Sequence, residues 1–174
     1  MRHLLAATLV LAALLLAACG FRPLHQAANP ASLASGPLRA VDIDVISADD
    51  SDDERAAFLI NRALEARLRT NVPARYRLEV IPAVSRAGLG VSPNDVATRY
   101  DYRIFARFTL TDTDTGERLM RDQVYAVSSF GAPADPYGRI AAELSAAELA
   151  SQDAADRIFT ELALYFATPE DAEG

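Results

Sequence analysis

The sequence predicts an α+β domain: two helices packed on one face of a four-stranded sheet, in the order β-α-β-β-β-α. Two observations carry that prediction. The first is strict alternation from Thr98 to Leu110. Tyr100, Tyr102, Ile104, Ala106, Phe108 and Leu110 share one face, and Arg99, Asp101, Arg103, Phe105, Arg107 and Thr109 share the other. A period of two over about 14 residues is a long strand, roughly 45 Å. The second is an apolar stripe at helical spacing, Tyr137, Ile140, Leu144, Ala147, Ala154, Ile158, Leu162 and Tyr165. It implies a helix of about 30 residues, again roughly 45 Å. Strand and helix match in length, so the simplest arrangement lays one along the other.

The remaining elements follow in chain order. Leu38 to Ile46 reads as a strand, because Val41, Ile43 and Val45 alternate with Asp42 and Asp44. Ser51-x-x-Glu54 reads as a capping box, with Asp52 and Asp53 placed for the helix dipole rather than for a metal. The helix it opens runs from Asp52 to about Arg69, with Ala57, Ile60, Leu64 and Leu68 buried and Phe58 at the margin. Asn71 and Pro73 end it. Arg75 to Val84 is a second strand, where Pro82 signals an edge or a bulge. Arg86 to Asp95, with Gly88, Gly90 and Pro93, is expected to be a loop. Asp112-Thr113-Asp114-Thr115-Gly116 is a hairpin turn, with Gly116 at a left-handed position. Glu117 to Ser129 returns as the fourth strand. Its register stays open, because Met120, Val124 and Ala126 compete with Leu119, Tyr125 and Val127 for the core. Asp135-Pro136 caps and opens the final helix.

Ahead of the domain stand Arg2, His3 and an unbroken apolar run from Leu4 to Ala18. The run is short of the roughly 20 residues a membrane span needs, and it has the charged start and small-residue end of a secretory signal. Leu16-Ala17-Ala18-Cys19 resembles the bacterial lipobox, in which the cysteine receives a diacylglycerol and becomes the first residue after cleavage. The resemblance implies a signal peptide over 1–18 and a covalent lipid on Cys19, the one cysteine of the chain. Two or three acyl chains hold a protein firmly to a membrane, where a single chain binds only marginally. Residues 19–37 then form a lipidated N-terminus and leash, rich in Ala, Ser, Pro and Asn. As a coil, its last 18 residues span roughly 25 Å. The domain covers 38–168, and 169–174 is an acidic tail. Gly20, rather than Asp, follows the cysteine, which by resemblance to sorted lipoproteins points to the outer membrane, with the body on its periplasmic face.

Composition excludes several functions. The 17 cations are outnumbered by 24 acids, for a net charge of -7, a poor balance for nucleic-acid binding. No lysine occurs, so every side-chain cation other than histidine is a guanidinium, suited to bidentate phosphate or carboxylate contacts. Of two histidines, His3 lies in the signal and His25 in the leash, which removes a histidine triad or histidine metal site from the domain. Gly88 and Gly90 lack the rest of any phosphate-binding motif. The sequence therefore predicts no enzyme, no metal and no cofactor beyond the lipid on Cys19.

Charge is unevenly divided. The last 40 residues hold nine acids and two arginines, while Arg75 to Tyr125 holds eight arginines against seven acids. Arg99, Arg103 and Arg107 point the same way along one strand, roughly 13 Å apart. A solvated sheet face, helped by Asp101, accounts for this row. Its functional reading is a basic strip for an anionic partner or a lipid phosphate.

Cys19-Gly20-Phe21-Arg22-Pro23-Leu24 resembles the mature start of the LptE lipopolysaccharide-assembly lipoproteins, typically CGFRPLY, with His25 here in place of tyrosine. The hairpin Leu110 to Glu117, the alanine-rich stretch Ala150-Ser151-Gln152-Asp153-Ala154 and the order of elements are similar too. The resemblance implies a non-catalytic plug in the lumen of the outer-membrane barrel LptD, aiding barrel assembly and lipopolysaccharide delivery. It implies lipopolysaccharide contacts through basic residues. The candidates this sequence offers are Arg86, Arg99, Arg103 and Arg107. Two rivals stand beside it: an auxiliary lipoprotein of a lipid-transporting ABC system, and a cell-envelope hydrolase built on paired carboxylates.

Overall fold

The structure is a computed structural model, and it describes residues 36–46, 51–68, 72–91 and 97–167. The signal, Cys19, the leash up to residue 35 and the acidic tail lie outside the described residues.

A four-residue 3-10 turn, Pro37–Ala40, leads into β1 (Val41–Val45). Pro37 at the first position favours the turn. The strand expected from Leu38 thus begins three residues later. Leu38 is buried all the same, as part of the hydrophobic core. Helix α1 (Ser51–Leu68) returns the chain so that β2 (Tyr76–Val91) pairs parallel to β1, Val41 opposite Tyr76 and Val45 opposite Val80. β3 (Ala97–Asp112), β4 (Arg118–Gly131) and α2 (Pro136–Ala167) complete the described chain. The strand order is β1-β2-β3-β4, with the last three antiparallel.

The helix-facing side of the sheet matches the alternation in the sequence. Leu78 and Val80 on β2, Tyr102 to Leu110 at every second residue on β3, and Val124, Ala126 and Phe130 on β4 are buried beneath the helices. Helix α1 contributes Ala56, Ala57, Ile60, Leu64 and Leu68, and Phe58 stays exposed. Helix α2 contributes Ala146, Ala147, Ala150, Ser151, Ala154, Ala155, Ile158 and Leu162. Alanines dominate that face and let the helix backbone lie close to the sheet. Burying one Leu or Ile side chain is worth about 1.5–3 kcal/mol, so the aliphatic positions carry much of the stability.

Three expectations are corrected. The stretch from Arg86 is strand, not loop, as far as Val91. The long β3 needs a partner along its whole length, and β2 supplies it, with Gly88 paired opposite Tyr100. Pro82 fits because β1 has ended. The carbonyl of Val80 accepts from Ile46 at 2.9 Å and the amide of Val84 faces the same way, so Pro82 lacks its N–H on an edge with no strand beside it.

The second correction concerns α2. Asp135 caps it as expected, accepting from the amides of Tyr137 at 3.3 Å and Gly138 at 2.5 Å. The first two turns, however, overhang the core. Tyr137, Ile140 and Leu144 are 84%, 57% and 43% exposed. Helical spacing identifies a face but not what lies under it.

The third concerns Asp52 and Asp53, which do more than complement the helix dipole. The Asp53 carboxylate accepts from the Val84 amide at 2.7 Å, so the start of α1 takes the place of β1 along the upper edge of β2. Asp52 pairs with Arg86 at 2.6 Å.

The open question of β4 register is settled by a bulge. Leu110 faces Met120 and Thr111 faces Arg118, which leaves Leu119 extra. Leu119 and Met120 can both pack against the core, and beyond them Val124 and Ala126 point inward.

The β3–β4 turn is held by Asp112. Its carboxylate accepts from the amides of Asp114 at 2.9 Å and Thr115 at 3.2 Å, and Gly116 takes a φ of 72°. Burial pushes the Asp112 carboxyl up. The two amides and the Arg75 guanidinium more than offset that, so it titrates below the usual carboxylate range.

Candidate lipid-facing surface of the sheet

Because both helices lie on one side, the other side of the sheet is uncovered among the described residues. Its side chains are the odd-numbered residues of β2 from Ile81 to Leu89, of β3 from Arg99 to Arg107 and of β4 from Gln123 to Gly131, and the register sets them in rows. Ile81, Arg107 and Gln123 make one row, and Ala83, Phe105 and Tyr125 the next. Then come Ser85, Arg103 and Val127, followed by Ala87, Asp101 and Ser129, and last Leu89, Arg99 and Gly131.

The middle of this face is apolar. The rings of Phe105 and Tyr125 meet at 4.5 Å between centroids with a 39° tilt. Phe105 is 48% exposed, Tyr125 41% and Val127 38%. Scattered exposed apolar side chains are ordinary, but here they are contiguous across two strands and flanked by cations.

The arginine row splits into two kinds. Arg103 is pinned: its guanidinium donates to Asp101 at 3.1 Å, and its Nε is buried without a hydrogen bond among the described residues. Asp101 also accepts from the Ser129 hydroxyl at 2.7 Å. Hydrogen bonds from Ser129 and then Arg103 hold the Asp101 carboxyl below its ordinary value, against the opposing effect of burial. Arg99 and Arg107 are exposed and make no ion pair among the described residues. A face with donors at both ends, a neutralised pair between and an aromatic platform fits an amphiphile with phosphate and hydrocarbon parts.

Arg86 is not on this face. As an even residue of β2 it lies on the helix side, opposite Tyr102, where it bonds Asp52 at 2.6 Å and Glu143 at 2.7 Å. It ties β2, α1 and α2 together. The fold therefore gathers Arg99, Arg103 and Arg107 and sets Arg86 apart. Beneath Arg86, burial and then the nearby Asp52 charge push the Tyr102 hydroxyl up to about 12.

The sequence did not single out Phe105, Tyr125, Val127 and the Asp101–Ser129 pair as site residues. The signal for Phe105 was present, since a phenylalanine sits among polar residues in a strictly alternating strand. Tyr125 and Val127 needed the β4 register.

Among the described residues no group of three His, Cys, Asp or Glu could hold a metal ion. No helix among them is long and apolar enough to cross a membrane. A groove of about 260 Å³ between α1 and α2 is lined by Leu59, Ala63, Ala66 and Gln152 and bridged by Arg62 and Glu148 at 3.3 Å. It is smaller than ordinary ligand pockets, which run from about 300 Å³ upward.

A two-layer domain that leaves one amphiphilic face of its sheet uncovered among the described residues has the form of a surface-binding module. The model of the LptE lipopolysaccharide-assembly family matches residues 38–162, most of the chain, and the protein belongs to that family. No curated protein sequence matches it. Solved structures share the fold. A Caulobacter crescentus CB15 protein assigned to the lipoproteins is 24% identical, with a TM-score of 0.62 over 79% of this chain and 98% of its own. The rare lipoprotein B of Shewanella oneidensis is 18% identical, with a TM-score of 0.53 over 71% of this chain and 93% of its own. A minor lipoprotein of Acinetobacter baumannii is 15% identical, with the same TM-score of 0.53 over 71% and 90%.

Proposed function

We propose that this protein is an outer-membrane lipoprotein, anchored through a lipid on Cys19. In this reading it seats in the lumen of the LptD barrel as a plug, helps that barrel assemble, and assists lipopolysaccharide on its last step to the cell surface. It does so without catalysis and without a cofactor. The family match over residues 38–162 is the observation that carries this reading. The bare sheet face supports it, because arginines beside an aromatic patch suit a phosphorylated, acylated ligand. Arg99 and Arg107 are its contacts with lipopolysaccharide phosphate, and Arg103 joins them only as far as its pairing with Asp101 allows. Arg86 could join them only by releasing Asp52 and Glu143.

The test is recovery of the tagged protein from detergent-solubilised outer membranes. A stoichiometric large β-barrel supports the reading. Recovery alone overturns it, and recovery with inner-membrane transporter subunits overturns it in favour of an ABC-system lipoprotein. Arg99→Glu with Arg107→Glu should weaken lipopolysaccharide capture while barrel recovery persists.

A further inference from the structure

We propose that the outer edge of β4 pairs antiparallel with the same edge of a second copy of this chain. Backbone parity locates the groups that do it. The Val80 carbonyl and the Val84 amide both point away from β3, so even residues of β2 face outward and odd ones face β3. Ile81 is opposite Arg107 and Ala106 is opposite Val124, which carries the parity across the sheet. On β4 the even residues bond β3, and Gln123, Tyr125, Val127 and Ser129 turn their N–H and C=O groups outward. Among the described residues no strand lies beyond β4.

The opposite side of the sheet is guarded and this one is not. The upper part of β2 carries Pro82 and has its Val84 amide taken by Asp53, and β1 is short and bears Asp42 and Asp44. These are the devices that block stray strand pairing. From Gln123 to Phe130, β4 has no charge, no proline and no glycine, and it is rich in Val, Tyr, Phe and Ser. An uncharged β-prone edge of this length is a template for another strand.

The side chains fit a second copy. A two-fold axis at Ala126 sets Tyr125 opposite the second copy's Val127 and Gln123 opposite its Ser129. Arg121 and Asp122 meet Gly131 and Phe130, so no like charges face each other. Each outward residue exchanges two bonds with its opposite number, about eight bonds in all. The row of Phe105, Tyr125 and Val127 would run on into its symmetry mate. A closed barrel has no free strand edge to offer, so a barrel wall cannot take the second copy's place on β4 by strand pairing.

The test is sedimentation equilibrium of the full chain in density-matched detergent with reductant, from about 1 to about 300 µM, a range that brackets a micromolar dimer. A reversible monomer–dimer equilibrium is expected. Val127→Pro removes only an outward N–H and no β3 bond, so it should leave the circular dichroism unchanged and weaken dimerisation at least tenfold. Val127→Arg brings two cations together diagonally across the axis and should do the same. Monomer at every concentration overturns the proposal. So does a dimer that both variants leave intact, since its interface would lie elsewhere.

Discussion

Replacing Asp53 by alanine should destabilise the domain by about 2 kcal/mol. Asp53 sits in the first turn of α1, and its carboxylate accepts the Val84 amide of β2 at 2.7 Å. A hydrogen bond to a charged group contributes roughly 1.5–3 kcal/mol net, more than a neutral one. The dipole interaction of an acid in a first turn adds about 0.3–1 kcal/mol. The Val84 amide is partly buried, so water replaces the lost acceptor incompletely. For a domain of this size 2 kcal/mol corresponds to a drop in Tm of roughly 6–10 °C. Glu54 is the control. It shares the first turn and its dipole term, is exposed, and makes no bond to the sheet among the described residues, so Glu54→Ala should cost under about 1 kcal/mol. Urea unfolding of the two variants gives the difference, and hydrogen exchange at Val84 gives its location. Equal losses in both variants, or unchanged exchange at Val84, would refute the idea that α1 substitutes for the missing length of β1.

Other consequences can be measured on the same samples. Tyr102→Phe should stabilise the domain by about 1 kcal/mol, because the buried Tyr102 hydroxyl makes no hydrogen bond among the described residues. Ile158→Ala, at a fully buried position of α2, should cost about 2–5 kcal/mol in urea unfolding. Gly116→Ala forces a side chain onto a φ of 72° and should cost about 1 kcal/mol without changing the fold. Asp101 and Asp112 both titrate below their ordinary value of 3.8, so the folded state favours their charged forms. Their contribution is complete above the ordinary carboxylate range and is lost as pH falls through the lowered values. Stability should therefore be level near neutrality and fall below about pH 4, less steeply in Asp101→Asn.

The parts of the fold legible in the sequence were those fixed by local periodicity. The alternation from Tyr100 to Leu110 gave both the face and the length of β3, and Asp112 to Gly116 gave the turn with its positive φ. What escaped depended on partners. Gly88 and Gly90 read as loop because glycine is a poor strand former, yet β3 required a full-length neighbour. Tyr137, Ile140 and Leu144 read as core because the stripe does not record where the sheet ends. The bulge at Leu119 is a property of two strands together, and the site suffered most from this. Arg99, Arg103 and Arg107 were visible as a row, but the patch that gives them meaning is assembled across strands.

The strand order β1-β2-β3-β4 repeats the order of the chain itself. Each strand meets only the strand before it or the one after it, and none must wait for a segment made much later. Pairings between chain neighbours close short loops and form quickly, whereas distant pairings are slow. A chain that emerges N-terminus first, from a ribosome or through a membrane pore, can therefore add strands in order of arrival. Only the last element, α2, closes the hydrophobic layer. Until it appears, Ile104, Ala106 and Val124 are uncovered, and that interval is when such a chain most needs a chaperone.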